Sequence, residues 1–178
     1  MSKAYVLISC EPGSDDYVVS NLKAISSVKS AYGTFGLYDV IAQIEASDEA
    51  KLKNELMTRI RKLDKIQGTI TLMAEESTDI LAESFAKNRE LQKGKNMAEA
   101  YIIIHTEKGN QYQILRSIAK MPGVVEGDLV VGYYEVICKV VAPTYNDIGD
   151  VITKKIRKLA DISSTVTLNV IPAKDKIK

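Results

Sequence analysis

Two stretches, ninety-six positions apart, constrain what this chain can fold into. Gly36-Leu37-Tyr38-Asp39 runs into Val40-Ile41-Ala42-Gln43-Ile44, and Gly132-Tyr133-Tyr134-Glu135 runs into Val136-Ile137-Cys138-Lys139-Val140. The same offset carries Ala4-Tyr5 onto Ala100-Tyr101 and Glu11 and Gly13 onto Glu107 and Gly109. It also carries Ile60-Arg61-Lys62-Leu63 onto Ile156-Arg157-Lys158-Leu159, and Thr69-Ile70-Thr71-Leu72 onto Thr165-Val166-Thr167-Leu168. A repeat this long, seen twice, is a duplicated domain, since solenoid units run ~20–50 residues and recur at least three times. The expected organisation is a first domain over 1–75, a linker over 76–97 and a second domain over 98–178.

Each copy reads as the same string of elements. Ala4 to Cys10 is a continuous apolar run that predicts a strand buried on both faces. Pro12-Gly13 breaks it, and Ser14 with Asp15 and Asp16 predicts a helix start, anions being favoured at the positive end of the helix dipole. Val18, Val19, Leu22 and Ile25 follow at helical spacing. A strand is expected over Val28 to Phe35, a turn at Gly36, and a third strand over Tyr38 to Glu45. Ser47 is placed to cap a second helix striped by Leu52, Leu56, Ile60 and Leu63. Gly68 precedes a closing strand, Thr69 to Ala74. The second copy repeats this with strands over Ala100 to Thr106, about 124–131, 134–141 and 164–171, and helices striped by Ile114, Leu115, Ile118, Met121 and by Ile148, Ile152, Ile156, Leu159. The order β-α-β-β-α-β is that of a ferredoxin-like unit. The fold class is therefore α+β, two tandem ferredoxin-like units of the dimeric α/β-barrel type with antiparallel sheets. In the linker, Ser77 or Thr78 can cap a helix with Leu81, Phe85 and Leu91 on one face and Gly94 at its end. Ala173 to Lys178 reads as a frayed basic tail.

Composition excludes several classes of function. A net charge of +1 offers no global field for a polyanion. The only two cysteines, Cys10 and Cys138, lie in strand-like runs with no metal-binding spacing and read as buried hydrophobes. The first apolar run is too short for a signal peptide or a membrane span, so a cytoplasmic protein is expected. Strand alternation puts Asp39, Ile41 and Gln43 of the third strand, with Thr69 and Thr71 of the last, on the face away from the helices. The second copy gives Glu135, Ile137, Lys139, Thr165, Thr167 and Asn169.

Taken in order, Ala-Tyr-Val-Leu-Ile, Glu-Pro-Gly, Gly36-x-Tyr38-Asp39 and Thr69-Ile-Thr71-Leu72 resemble the effector-binding (RAM) domain of the Lrp/AsnC transcriptional regulators, twice over. The resemblance implies an amino-acid effector held near Gly36, Tyr38, Asp39, Thr69 and Thr71, and in the second copy near Gly132, Tyr134, Glu135, Thr165 and Thr167. Asp39 would pair with a ligand ammonium, and threonine hydroxyls and turn N–H groups would take its carboxylate. Glu135 departs from the family's aspartate. The chain begins at the first strand of that domain, so it is expected to lack its own helix-turn-helix. It would then bind no specific DNA and no membrane, and act by self-association or through full-length Lrp/AsnC regulators. No catalytic group, metal or cofactor is expected: His105, the sole histidine, reads as a structural residue at a strand end. The alternative is a dimeric α/β-barrel enzyme such as a small monooxygenase. Nucleic-acid binding through the sheet is disfavoured, because its third strand lacks the stacking aromatics of RNA-recognition modules.

Overall fold

The computed structural model describes residues 1–75, 81–107 and 109–172. In chain order the elements are β1 (Ser2–Cys10), α1 (Asp15–Lys23), β2 (Val28–Phe35), β3 (Val40–Ala46), α2 (Glu49–Glu55, continued by a wider π-helical turn Leu56–Ile60) and β4 (Ile66–Ala74). Then come α3 (Ala82–Gln92), β5 (Ala98–Thr106), α4 (Gln111–Ala119), β6 (Val124–Val131), β7 (Val136–Ala142), α5 (Tyr145–Val151, continued by Ile152–Ile156) and β8 (Ile162–Val170). The fold is α+β with antiparallel strands, in two tandem ferredoxin-like units, as the repeated pattern predicts. The tail from Ala173 and the capping residues Ser77 and Thr78 lie outside the described residues.

The chain divides into two compact units. Unit 1 holds Met1–Thr71 with the described residues from Val170 on, and unit 2 holds Leu72–Asn169. In unit 1 the strands lie in the order β4-β1-β3-β2, with Ala4, Val6 and Ile8 opposite Ile44, Ala42 and Val40. Residues directly opposite in an antiparallel pair point to the same face, so these six form one apolar stripe. Val18 and Leu22 of α1 and Leu52, Leu56 and Ile60 of the second helix are buried. The helix starts where a side chain can satisfy a free N–H: Asp48, rather than Ser47, accepts from Lys51 N at 2.8 Å. Ser14 sits at the start of α1 but its hydroxyl donates back to Glu11 O instead of capping.

Unit 2 repeats the arrangement as β8-β5-β7-β6. Its helix-side core joins Ala100, Ile102 and Ile104 to Val136, Cys138 and Val140, under Leu115, Ile118, Ile152 and Ile156. Thr144 and Asp147 close a reciprocal capping box at the start of α5. The end of β4 belongs to this unit, where Met73 and Ala74 pair with Val131 and Val130 of β6.

Among the described residues α3 has no counterpart in unit 1, and unit 2 is adapted to it. Phe85 is buried and its ring lies over Gly127, where a Cβ would come within 2.8 Å of both Phe85 Cζ and Leu115 Cδ1. The matching position in unit 1 is Ala31, which is buried. Asn88 is 5% exposed, and its amide nitrogen meets the carbonyls of Ala119, Met121 and Val124 at 3.0, 3.0 and 2.7 Å. Arg89 donates to Val125 O at 2.8 Å. These carbonyls end α4 and open β6, so α3 brings donors to a helix end, where carbonyls lack intrahelical partners; Met121 O also accepts from Val124 N at 3.0 Å. Leu81 and Phe85 are buried on the expected face, whereas Leu91 is 51% exposed; Asn88 and its carbonyls complete that face.

Cys138 sits in the unit 2 core, and burial pushes its thiol from 9.0 to about 12. Burial also raises the Cys10 thiol, with the Ser14 hydroxyl pulling the other way. A raised folded-state value means the unfolded chain releases this proton first. Below pH 9 the contribution of Cys138 is fully present, and it is lost as pH climbs through 9 toward 12. Urea unfolding is expected to show stability falling by up to about 1.4 kcal/mol per pH unit from Cys138 in that window. Cys138→Ala should flatten the slope; an unchanged slope would contradict it.

Candidate active site

The turns that join the second and third strands place the chemistry. Gly36 and Gly132 take φ of +151° and +146°, a region open to glycine. Leu37 and Tyr133 follow at the exposed tips, 67% and 69% accessible. Next come Tyr38 and Tyr134, then the carboxylates. In unit 1, Asp39 N donates to Ile8 O at 2.9 Å, and Asp39 Oδ2 accepts from Cys10 N at 2.9 Å. In unit 2, Glu135 N donates to Ile104 O at 3.1 Å, and Glu135 Oε1 accepts from Thr106 N at 2.8 Å. At equivalent positions, then, a carboxylate stitches the turn to the neighbouring strand.

The copies part at the residue beside that stitch. In unit 1 it is Ser9, a hydroxyl that holds its proton throughout the neutral range. In unit 2 it is His105, whose Nδ1 lies 2.9 Å from the same Glu135 Oε1. A carboxylate there assigns the proton to Nδ1 and leaves Nε2 as the outward atom. The imidazole is 44% exposed and the Glu135 side chain 21%. The Tyr134 ring stands 5.0 Å from the imidazole at 44°. A partly exposed histidine oriented by a carboxylate can accept or deliver a proton. His105 thus has a carboxylate partner from the second copy of the repeated turn rather than standing alone at a strand end. Local spacing hides the pair, because the two residues are thirty positions apart and meet only through the β5–β7 register, Ile104 opposite Val136.

The same sheet face carries further charge in unit 2. Glu126 lies opposite Lys139 and Asp128 opposite Ile137. Lys139 is 8% exposed, 3.5 Å from Glu99 and over the Tyr101 ring at 5.6 Å. Glu126 Oε2 is buried with no hydrogen-bond partner among the described residues. Unit 1 holds Lys3, Ser30, Tyr32 and Gln43 at the positions of Glu99, Glu126, Asp128 and Lys139. The ionic face belongs to the second copy.

The closing threonines do not join this site. Thr165 and Thr167 lie opposite Ile104 and Ile102, which places them on the helix side with the core. Thr165 Oγ1 accepts from Arg157 Nε at 3.0 Å there. The expectation that they share a face with Glu135 is therefore corrected. Leu168 is fully buried on the far face while Thr165 and Thr167 are half-buried toward the helices, so the apolar side of the alternation points away from the helices. Thr69 and Thr71 lie in β4, and the Thr71 hydroxyl is buried without a partner among the described residues. No group of three metal-ligating side chains is assembled among the described residues, and no helix among them is long and apolar enough to cross a membrane.

Comparison with known proteins bears on this geometry. A helix-turn-helix type transcriptional regulator of Pyrococcus horikoshii, itself uncharacterised, is 26% identical over 141 residues, 73% of this chain and 92% of the relative. A similar regulator of Pyrococcus furiosus is 29% identical over 72 residues, and the match spans about half of its length, 48%, and 39% of this chain. Among solved structures, siroheme decarboxylase NirDL aligns over 96% of this chain and 71% of its own, with a TM-score of 0.67 and 10% identity. An anthrone oxidase-like protein aligns over 96% and 91%, with a TM-score of 0.56 and 10% identity. At these identities the likeness is one of fold.

These alignments correct the functional expectation. Structures that run nearly the whole length of the chain bear the names of enzymes, whereas the regulators share it in part. The expectation of a non-enzymatic amino-acid-binding regulator acting through oligomerisation or partner regulators is therefore set aside, because the structures that share the whole fold are named as enzymes. The scaffold itself is placed without ambiguity. A model described as the Lrp/AsnC ligand binding domain matches residues 3–79 and again residues 99–175, so the chain belongs to the Lrp/AsnC ligand binding domain family.

Proposed function

We propose that the second copy carries the active centre of an acid–base enzyme, with His105 as the proton-transferring group and Glu135 as its positioning partner. The observation that carries this reading is the 2.9 Å contact between them, present in one copy and replaced by Ser9 and Asp39 in the other. Duplication followed by such divergence supports a division of labour in which unit 1 keeps the scaffold.

The substrate class is taken from the whole-chain fold neighbour, a siroheme decarboxylase also solved with an iron-uroporphyrin III analogue. On this reading the substrate is a tetrapyrrole bearing carboxylate side chains, and the reaction is loss of one carboxylate as CO2. The bond between the side-chain carbon and its carboxylate breaks and CO2 leaves. The electron pair stays on carbon, and the proton from His105 Nε2 closes the new C–H bond. No net redox change occurs. The Glu135 carboxylate holds the imidazole through its Nδ1 contact at 2.9 Å, and the Tyr134 ring offers a face to a planar macrocycle.

The test is anaerobic incubation of the pure protein with siroheme or iron-uroporphyrin III, following the absorption band of the macrocycle for binding and CO2 for turnover. A spectral shift with CO2 release in the wild type supports the reading. Tight binding with no CO2, or CO2 release that His105→Gln leaves untouched, would refute it.

A further inference from the structure

Unit 2 has a cleft of about 480 Å³ at the opposite end of β7 from Glu135, between the segment after α3 and the start of α5. That volume is in the range of small-molecule sites, ~300–1,000 Å³. Its history is legible in the first copy. There Ser27 Oγ donates to Glu55 Oε2 at 3.0 Å, and Arg59 Nε holds the same oxygen at 3.2 Å, so polar side chains plug the equivalent place. In the second copy Ser27 becomes Gly123 and Glu55 becomes Val151, both lining the cleft. Glu45 and Ser47 become Val141 and Pro143, which line it too. Each change removes a polar group. Gly123 is also needed for closeness, since a Cβ there would meet Val141 O at 2.8 Å.

The rim is cationic. Lys95, Lys154 and Lys155 all border the cleft. The two carboxylates nearby are engaged: Asp147 holds Thr144 N and Oγ1 in the capping box, and Asp150 pairs with Lys154 at 3.5 Å. Lys95 and Lys155 have no ion-pair partner among the described residues. We infer that this cleft binds a small amphipathic anion, an aliphatic or aromatic carboxylate whose apolar body lies on Gly123, Val141, Pro143 and Val151 and whose charge is met by Lys95 and Lys155. The site is separate from the His105 centre and does not depend on it.

Octanoate is the probe, with octylammonium as the same body carrying the opposite charge. Calorimetric titration into the full chain is expected to give octanoate a Kd on the order of 10⁻⁴ M, and octylammonium at least about tenfold weaker binding. Lys155→Gln and Lys95→Gln should each weaken octanoate about two- to fivefold, as partly exposed charge pairs do. Val151→Glu returns the first copy's carboxylate to a position where this fold already tolerates it, and should abolish octanoate binding while thermal unfolding stays near wild type. If that variant fails to fold, the two surface lysine variants decide. Equal binding of octylammonium, octanoate affinity unchanged in both lysine variants, or no octanoate binding up to millimolar concentration would overturn the inference. A loss of tetrapyrrole turnover in His105→Gln with octanoate binding intact would leave it standing.

Discussion

Phe85→Ala is expected to cost unit 2 about 3–5 kcal/mol of stability, the usual toll for removing a buried aromatic ring. The ring is 4% exposed and rests where Gly127 has no side chain, so truncation opens a cavity that the glycine cannot fill. The loss reaches further than the ring. Without it α3 is held by Leu81 and by the hydrogen bonds of Asn88, Arg89 and Gln92. The converse substitution, Gly127→Ala, crowds Phe85 and Leu115 at 2.8 Å and should cost about 1–3 kcal/mol by overpacking. The pair should couple: in Phe85→Ala the extra methyl of Gly127→Ala finds room, so the double variant should be more stable than the sum of the singles. Urea unfolding followed by circular dichroism measures all four proteins. A Phe85→Ala penalty under about 1 kcal/mol would mean that α3 is not docked as described.

His105→Gln is expected to lower turnover by about 10²–10⁴-fold, the range general acid–base groups supply, with little change in substrate affinity. Glutamine fills similar space and can still meet Glu135, so folding should survive while proton transfer does not. Glu135→Gln keeps an acceptor for Thr106 N but removes the charge beside the imidazole. About tenfold to hundredfold slower turnover follows from weakening one charged hydrogen bond, ~1.5–3 kcal/mol. Asp39→Asn, the matching change in the first copy, should leave turnover near wild type. Equal damage from Asp39→Asn and Glu135→Gln would mean that the shared backbone stitch matters and the histidine does not.

The fold was legible because the chain states it twice. Every element predicted in the first copy had a partner ninety-six residues on, and independent errors in one copy were checked by the other. Helix starts were less readable where two capping residues stand together: Ser47 and Asp48 compete, and the backbone bond goes to Asp48. The faces of the closing strands were not readable at all. Alternation is read by turning the apolar residues toward the helices, and in β8 the fully buried Leu168 lies on the side away from them while the half-buried Thr165 and Thr167 lie toward them. A buried Asn88 runs against the usual composition of a helix core, and only the three carbonyls at the end of α4 and the start of β6 explain it. The proposed site was legible only in part. Tyr134 and Glu135 stood out beside the repeated turn, but His105 gains its meaning from strand register, a long-range fact that local spacing does not carry.

The most direct measurement is the single-turnover rate of CO2 release from a bound carboxylate-bearing tetrapyrrole, compared among wild type, His105→Gln and Asp39→Asn. Wild type and Asp39→Asn are expected to release CO2 at similar rates, and His105→Gln at least about a hundredfold more slowly, with the macrocycle still bound in all three. Release at the same rate in His105→Gln, or bound substrate and no release from wild type, would contradict the assignment of His105 as the proton donor.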